Sequence, residues 1–362
     1  AYRPDALYAK VLDALLERTG IDPGLIGDVV TGCVTQVGEQ GANVGRLGVL
    51  LSRLPKEVPA VSLNRMCGSS QQAVHFAAQA IAAGDVDFAI AGGVESMTRV
   101  PMFSDIGGGF HTLNPEPGKR YELVHQGASA ERIAERYGVC REELDEWGYL
   151  SHKRAARATE EGRFSAQILP LEGLDAEGRP FLLTRDEGVR PDVDYEKMLA
   201  LKPVFRENGV VTAGNSSQIS DGAAALLLGD REKALALGLR PRARFLARVV
   251  VAGDPTLQLL EVIPAAKKAL ERAGLSLRDV DVIEVNEAFA SVVLAFLREL
   301  GADPEKVNPN GGAIAHGHPL GATGAVLMTK LLYELERTGG EFGLQVMCIG
   351  HGQATATVIQ RL

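Results

Sequence analysis

Apolar and polar positions recur in the same order at two places in the chain. The stretches "LLERTGIDPGLIGDVVTG", ending at Gly32, and "ALERAGLSLRDVDVIEVN", ending at Asn286, each predict a helix, a short loop and an apolar β-branched strand. The glycine that follows each helix, Gly20 or Gly274, stands where a left-handed C-cap is favoured. Each copy continues with another strand, a Gly/Ser-rich turn, a helix of small residues and a third strand. This order predicts a duplicated α/β domain.

The helix after each Gly/Ser-rich turn is apolar on nearly every side. It follows Cys67 in the first copy and His318 in the second. Helices of this kind are buried, and strands with near-continuous apolar runs belong to sheets covered on both faces. We therefore predict a layered sandwich in which the two helices pack between two mixed sheets. Their N-termini should converge in the middle.

The segment between the copies, 98–218, has a different pattern. Charged helices such as "REELDEWGYLSHKRAARA", many of the prolines and polar loops predict an inserted loop domain, a usual place for substrate selection. We place the N-terminal half at 1–97, completed by 219–241, and the C-terminal half at 242–362. The strand "PRARFLARVVVAG" opens the second copy and has no counterpart ahead of the first. We expect the opening strand of the first half to be missing from the sequence.

Composition narrows the class of protein. The 362 residues are 46% hydrophobic and 23% charged, and the net charge is −8 without a dense Lys/Arg run. This is typical of a soluble globular protein and argues against nucleic acid or an anionic membrane as a partner. We find neither an apolar segment of membrane-spanning length nor a signal peptide. Four scattered cysteines without disulfide-scaffold spacing favour a cytoplasmic protein.

Four polar residues set among glycines and apolar strand ends could perform chemistry. Cys67, in "NRMCGSS", stands at a predicted strand-to-helix junction, where a helix N-terminus favours a thiolate. His318, in "GGAIAHGHPLGATG", lies near the corresponding turn of the second copy, so facing helix N-termini would bring a nucleophile and its base together. "VNEAFA" adds Asn286 and "MCIGHGQA" adds Cys348. The neighbouring glycines leave backbone N–H groups free to hold an oxyanion.

Other interpretations of these residues stay open at this point. Lone cysteines usually pack as small hydrophobes, and we interpret Cys33 and Cys140 in that way. Four side chains could instead hold zinc: His316, His318, Cys348 and His351. Structural zinc ligands usually lie in short knuckles, and this chain has an ample core, so zinc is the weaker hypothesis. The glycine-rich turns match neither the dinucleotide fingerprint nor the phosphate loop, and we reject both.

Taken together, the motifs resemble those of the thiolases, a family of acetyl-CoA acyltransferases. "NRMCGSS" resembles the nucleophile motif of that family, "NEAFA" its asparagine motif, "NPNGGAIAHGHPLGATG" its histidine motif and "CIGHG" its second-cysteine motif. They stand in the family's order, and the resemblance covers the whole chain except the first strand. It implies an α/β fold of the duplicated αβαβα type, with two mixed sheets and an inserted loop domain.

The resemblance implies a role for each motif residue. Cys67 attacks the thioester and becomes acylated, while His318 takes its proton and later helps to hold a thioester oxygen. Cys348 removes the α-proton of acetyl-CoA in condensation, or protonates the acetyl carbanion in cleavage. Asn286 positions a water that forms one oxyanion hole with His318. The N–H groups of Cys67 and Gly350 form the other.

The same resemblance implies a substrate class. CoA and acyl-CoA would be the substrates, without a cofactor or metal, and the chain would form a homodimer or homotetramer. The expected reaction is CoA-dependent cleavage of a 3-ketoacyl-CoA, as in the β-oxidation of fatty acids, and its reversal by Claisen condensation. Five residues are implied in substrate binding: His125 and Ser217 at the pantetheine or acyl part, Phe205 and Phe289 along its channel, and Arg190 near the nucleotide.

Two departures from the family pattern bear on the substrate. The chain has "HQG" (His125, Gln126, Gly127) where many members have His-Met-Gly. This favours a degradative thiolase of broader chain length over an acetyl-CoA acetyltransferase that forms acetoacetyl-CoA. His351 interrupts the usual glycines after Cys348. A decarboxylating condensing synthase of the same superfamily and a non-catalytic lipid-binding relative are the remaining alternatives; the second cysteine argues against the first, and the four intact motifs against the other.

Overall fold

The computed structural model describes residues 2–107, 109–175 and 177–362. In these ranges the α-helices are α1 (Pro4–Thr19), α2 (Val44–Leu51), α3 (Ser69–Ala83), α4 (Gln126–Tyr137), α5 (Arg141–Glu160), α6 (Tyr195–Leu199), α7 (Arg231–Ala236), α8 (Val262–Ala273), α9 (Ala290–Leu300), α10 (Ala313–His316) and α11 (Thr323–Thr338). The strands are β1 (Ile26–Gly32), β2 (Ala60–Leu63), β3 (Phe88–Ser96), β4 (Leu171–Leu174), β5 (Pro180–Leu183), β6 (Asp221–Gly229), β7 (Ala243–Ala252), β8 (Val282–Val285), β9 (Phe342–Ile349) and β10 (Gln353–Arg361).

The duplicated pattern is present in the structure. Gly20 ends α1 and Gly274 ends α8, and both adopt the left-handed conformation with φ of 68°. The strand expected next in the second copy is reduced to an isolated bridge between Val307 and Ile283. A helix also stands between the first two strand positions of each copy, α2 in one and α9 in the other, which the sequence pattern did not predict.

The first half builds a four-stranded mixed sheet in the order β2-β1-β3-β6. β1 is parallel to both neighbours, so that Val30 lies opposite Val61 on one side and Ala91 on the other. β6 pairs antiparallel to β3, with Phe88 opposite Gly229. The chain therefore returns to this sheet after the inserted segment. The bounds of the domains stay a prediction.

The second half builds the matching sheet, in the order β7-β10-β9-β8. β8 is parallel to β9, while β10 is antiparallel to both β9 and β7. Val346 of β9 lies between Val285 and Ala356. β10 thus occupies the place that β6 occupies in the first sheet. β7 has no counterpart beside β6 in the described part of the chain.

Helices α3 and α11 lie between the two sheets, as the sequence predicts. α3 packs Ala73 and Ala77 against the first sheet, and α11 packs Leu331 against the second. The helix N-termini meet, since the Ala325 N–H donates to Ser70 Oγ at 2.9 Å. Burial of α3 is incomplete, because Phe76 is 45% exposed. The close approach of the two N-termini brings residues of both halves into one site.

The outer faces of the sheets carry the remaining helices. α1 and α2 cover the first sheet, and α8 and α9 cover the second. The inserted segment attaches through α5, whose Arg154 donates to the Val307 carbonyl oxygen at 2.8 Å. None of the helices in the described ranges is both long and apolar enough to cross a membrane.

Candidate active site

Cys67 lies in the tight turn between β2 and α3. Met66 adopts the left-handed conformation with φ of 45°, which is costly for a residue with a Cβ atom. Ser69, the first residue of α3, closes the turn by donating its hydroxyl to the Met66 carbonyl oxygen at 2.6 Å. Cys67 is buried in a cluster that includes Leu320 and Met347. The turn therefore holds the thiol between the segments that carry His318 and Cys348.

Two glycines allow these segments to approach one another. A Cβ atom on Gly68 would collide with Ile349 Cδ1, at the end of β9. A Cβ atom on Gly93 of β3 would collide with the carbonyl oxygen of Gly321, in the turn that carries His318. At Gly93 the colliding atom belongs to the backbone, so a larger residue there would push the two halves apart; at Gly68 the Ile349 side chain would have to move.

His318 is held in one tautomer by its neighbours. Its Nδ1 lies 2.6 Å from Thr323 Oγ1, and that hydroxyl lies 3.1 Å from the Pro319 carbonyl oxygen, to which it donates. The single hydroxyl proton is used there, so Nδ1 carries the imidazole proton and Nε2 has a lone pair. Burial lowers the pKa of His318 to about 4. At neutral pH the ring is therefore an uncharged proton acceptor.

Asn286 links His318 to Cys348. Its Nδ2 lies 3.5 Å from His318 Nε2 and 3.7 Å from Cys348 Sγ. Burial raises the pKa of Cys348 to about 11, although the contact with Asn286 opposes the shift. Asn286 Oδ1 is also buried, and it has no hydrogen-bond partner among the residues described. The three side chains thus form one buried polar group. They come from the end of β8, from β9 and from the turn before α11.

Cys67 and Gly350 complete the group from the other side. A Cβ atom on Gly350 would lie 2.8 Å from Met66 Sδ, so the residue after β9 abuts the Cys67 turn. Burial, and secondarily Cys348, raises the pKa of Cys67 to about 12. The described residues contain no direct hydrogen bond between Cys67 and His318. Both thiols are accordingly protonated at rest and need a base before they can react.

Two buried carboxylates hold the turn that carries His318, and sequence reasoning assigned a role to neither of them. Glu95, at the end of β3, accepts four hydrogen bonds: from the N–H groups of Val34 (2.8 Å), Thr35 (3.0 Å) and Gly321 (2.9 Å) and from Gln40 Nε2 (2.8 Å). The bond from Gly321 ties the first half to the far end of the turn. A charged residue inside the apolar run "AGGVES" was the available signal, because a buried charge requires such partners.

Glu287 holds α10, the short helix that leads into the same turn. It accepts four hydrogen bonds: from Trp147 Nε1 (3.0 Å), Ser151 Oγ (2.7 Å), Asn308 Nδ2 (2.9 Å) and the Ile314 N–H (3.2 Å). Trp147 and Ser151 belong to α5, so this carboxylate joins the inserted segment to the site. Asn286 directly precedes Glu287 in the chain and is positioned by the same network.

Three of the five residues expected at the substrate form a cluster of rings. The His125 ring stacks on Phe205 with centroids 5.3 Å apart, and Phe205 meets Phe289 edge-on at 5.7 Å. Ser217 lies next to this cluster, because its N–H donates to the Ala288 carbonyl oxygen at 3.0 Å. Arg190 lies against His152 of α5, where its N–H donates to Nδ1 at 3.2 Å.

The zinc hypothesis finds no support in the geometry. His316 Nε2 lies 2.9 Å from the Asn310 carbonyl oxygen, and its Nδ1 lies 3.6 Å from Asp186 Oδ2. It thus has different partners from His318. Across residues 2–107, 109–175 and 177–362, the His, Cys, Asp and Glu side chains form no group of three or more that could hold a metal ion.

The remaining cysteines and His351 lie as follows. Cys33 is fully buried, so its packing role is confirmed. The same interpretation of Cys140 was wrong, because this residue is exposed at the start of α5, where its N–H donates to Glu143 Oε2. His351 adopts a left-handed φ of 60°, and its N–H donates to Gln258 Oε1 at 2.8 Å.

Comparisons with known proteins agree with this geometry. The thiolase N-terminal domain matches residues 1–232, and the thiolase C-terminal domain matches residues 239–361. The chain is 46% identical to a steroid 3-ketoacyl-CoA thiolase of Mycobacterium tuberculosis, over 99% of this chain and 89% of that protein. It is 45% identical to a 3-ketoacyl-CoA thiolase of Aliivibrio fischeri, over 99% and 93%.

A solved structure shows the same fold. The acetyl-CoA acetyltransferase of Bacillus anthracis matches with a TM-score of 0.91 and 35% identity, over 99% of this chain and 93% of that one. Its agreement with the layers and sheets described above confirms the duplicated αβαβα sandwich. Since both halves match their family domains along almost their full length, the chain belongs to the thiolase family and is an acyltransferase.

Proposed function

We propose that this thiolase cleaves 3-ketoacyl-CoA with CoA, giving acetyl-CoA and a shortened acyl-CoA, and catalyses the reverse Claisen condensation. The observation that carries the proposal is the single buried group in which Asn286, His318 and Cys348 of the second half meet the Cys67 turn of the first. The relatives named as 3-ketoacyl-CoA thiolases support the same substrate class.

Cys67 performs the first step. His318, uncharged and with a free lone pair on Nε2, takes the thiol proton. The thiolate attacks the 3-keto carbon, and the oxygen that becomes negatively charged is held by the N–H groups of Cys67 and Gly350. The contact between Gly350 and the Cys67 turn supports a shared oxyanion hole.

Cys348 completes the cleavage. The bond between C2 and C3 breaks, the acyl group stays on Cys67, and the electron pair leaves with the acetyl-CoA enolate. The enolate oxygen is held by His318 and by a water that Asn286 orients, a role suited to a buried amide with an unpaired oxygen. Cys348 protonates C2 to give acetyl-CoA.

The second half of the reaction restores the enzyme. The Cys348 thiolate takes the proton of an incoming CoA thiol, and the CoA sulfur attacks the acyl group on Cys67. As the shortened acyl-CoA forms, Cys67 leaves as a thiol by recovering its proton from His318. Two thiols and one imidazole thus perform all the proton transfers, and the proposal requires neither a metal nor a cofactor.

The ring cluster would receive the substrate. His125, Phe205 and Phe289 form an apolar channel wall for the pantetheine or acyl part, with Ser217 beside them. Arg190 is assigned to the nucleotide, where an exposed guanidinium suits phosphate. We assign the enzyme to the cytoplasm as a homodimer or homotetramer.

An acetyl-CoA acetyltransferase that forms acetoacetyl-CoA is the second candidate, favoured by the structural match to the Bacillus anthracis enzyme. A CoA-release assay on 3-ketoacyl-CoA substrates of increasing chain length decides between them. We expect cleavage of acetoacetyl-CoA and of longer substrates; cleavage of acetoacetyl-CoA alone would establish the second candidate. An absence of thiolysis with every substrate would indicate a binding protein.

A further inference from the structure

Gln126 is directed into the site, although the mechanism above does not use it. It is the first residue of α4, directly after His125, whose Nδ1 accepts the Gly127 N–H at 3.0 Å. A Cβ atom on Gly127 would collide with the Phe205 ring, so this end of the helix packs directly on the ring cluster. The cap and the close packing fix the direction in which the Gln126 side chain projects from α4.

The Gln126 carboxamide lies where the turn that holds Cys67 meets Gly350, the residue after β9. A Cβ atom on Gly350 would lie 2.9 Å from Gln126 Nε2 and 2.8 Å from Met66 Sδ. Met66 precedes Cys67, so the Gln126 carboxamide lies beside the turn that holds the Cys67 thiol. A carboxamide nitrogen carries two hydrogens and accepts none. Against a sulfur that loses its proton, it can only donate.

Burial and the neighbouring acidic side chains oppose a negative charge on Cys67, while its own backbone N–H favours one. Burial is the largest effect that raises its pKa, and Cys348 of β9 and Glu95 of β3 raise it further. Gln126 is the neighbouring side chain that lowers the pKa of this thiol. Its N–H group therefore opposes the cost of forming the thiolate at the point where the thiolate is needed.

We propose that Gln126 is a catalytic residue whose carboxamide donates a hydrogen bond to the Cys67 sulfur and stabilises the thiolate that attacks the 3-keto carbon. The proton moves from the thiol to His318, and the Gln126 hydrogen bond to sulfur weakens as the sulfur–carbon bond forms. The inference rests on the proposed thiolysis. The methionine side chain of the alternative His-Met-Gly pattern has no N–H group and cannot replace this donor.

The test compares Gln126→Met and Gln126→Glu with the wild-type enzyme. Iodoacetamide alkylation of the free enzyme at fixed pH is followed separately on the Cys67 and Cys348 peptides by mass spectrometry. Loss of one hydrogen bond to a charged group raises a pKa by about one unit. A more basic thiolate is also a stronger nucleophile. We therefore expect Gln126→Met to slow the alkylation of Cys67 about three- to tenfold without changing the alkylation rate of Cys348.

Gln126→Glu keeps the length of the side chain and replaces the donor with a carboxylate. It should therefore slow the alkylation of Cys67 further. It also keeps the test available if the methionine variant does not fold. Gln36→Met is the matched control, because the Gln36 amide donates to the Cys33 carbonyl oxygen, outside the site. It should leave both alkylation rates unchanged.

The outcomes separate this inference from the proposed function. Wild-type alkylation of Cys67 in Gln126→Met, or equal slowing of both cysteines, would overturn the role of Gln126. A wild-type enzyme that cleaves none of the 3-ketoacyl-CoA substrates would overturn the proposed function instead. The alkylation experiment needs no turnover and still measures the thiolate in that case.

Discussion

At the scale of single residues, burial sets the resting protonation states of the three titratable groups of the site. Desolvation disfavours every charged form, so Cys67 and Cys348 keep their protons and His318 is uncharged. Reaction then depends on proton transfer between neighbours rather than on a thiolate that exists beforehand. Asn286 Nδ2, at 3.5 Å from His318 Nε2 and 3.7 Å from Cys348 Sγ, keeps the base and one thiol in the same buried group.

Replacing Cys348 should separate the two halves of the reaction. In Cys348→Ala, Cys67 still has its base and is acylated, but no group protonates the acetyl carbanion or activates CoA. We expect thiolysis and condensation to fall by about 10²- to 10⁴-fold, the usual contribution of general acid–base catalysis, while intact mass shows acyl-enzyme formed from acyl-CoA. Exposed Cys140→Ala is the control and should be fully active. Undiminished condensation of acetyl-CoA by Cys348→Ala would contradict the mechanism.

The depressed pKa of His318 predicts both an activity profile and a stability profile. The base is uncharged down to about pH 4, so kcat/KM should not fall between pH 7 and 5 through His318. The unfolded chain has an ordinary histidine pKa near 6.5 and binds the proton first. The contribution of His318 to the free energy of unfolding is therefore full above about pH 6.5 and declines as the pH falls towards 4.

Urea unfolding across this pH range measures the stability profile. His318→Gln should flatten part of the decline, since it removes a group that is protonated only after unfolding. The exposed His111→Gln is the control and should leave the decline unchanged. A loss of kcat/KM centred near pH 6.5 in the wild-type enzyme would show instead that His318 is not desolvated.

At the scale of elements, the turn between α10 and α11 is positioned by carboxylates from elsewhere. Glu95 of β3 binds the turn at Gly321, and Glu287 binds α10, directly before the turn, at Ile314. A loop with buried polar groups needs such partners, and a carboxylate offers several acceptor sites at once. The two glutamates thus convert a glycine-rich segment into a rigid support for His318.

Removing the charge from Glu287 should weaken this support. In Glu287→Gln one oxygen becomes an NH2 group that faces existing donors, so we expect a loss of about 1–3 kcal/mol in the free energy of unfolding. We also expect a fall of about tenfold in kcat with little change in KM, because the network positions Asn286 and the His318 turn rather than the substrate. Urea unfolding and thiolysis kinetics check both.

Glu305→Gln is the matched control. Glu305 also belongs to the region joined to α5, through its ion pair with Arg154, but its side chain is 81% exposed. Surface substitutions of this kind usually change stability by less than about 0.5 kcal/mol. Wild-type stability and kcat in Glu287→Gln would show that the carboxylate is not needed for positioning.

At the scale of the whole molecule, the first sheet ends in an edge strand that is only partly covered. β2 lies at that edge, and Val61 on it and Leu50 and Leu51 on α2 are exposed. Uncovered edge strands with apolar side chains promote association. We expect sedimentation equilibrium to give a mass of at least two chains.

A substitution tests where that association occurs. Val61→Asp should shift the protein towards the monomer, because it places a carboxylate in the apolar edge. Leu235→Asp, on the separate helix α7 and similarly exposed, should leave the mass unchanged. A wild-type chain that sediments as a monomer would refute the expected oligomer.

The sequence alone determined the duplication, the two buried helices and the motifs, because these depend on local periodicity and on residue types at fixed spacing. Gly20 and Gly274, for example, specify helix ends by their backbone freedom, without any distant contact. The tertiary structure decided what those residues contact. Glu95, Glu287 and Gln126 act on partners from about 20 to more than 200 residues away in sequence, and no local pattern encodes such pairs. The exposure of Cys140 and the separate partners of His316 were equally beyond local reasoning, because burial is a property of the folded chain.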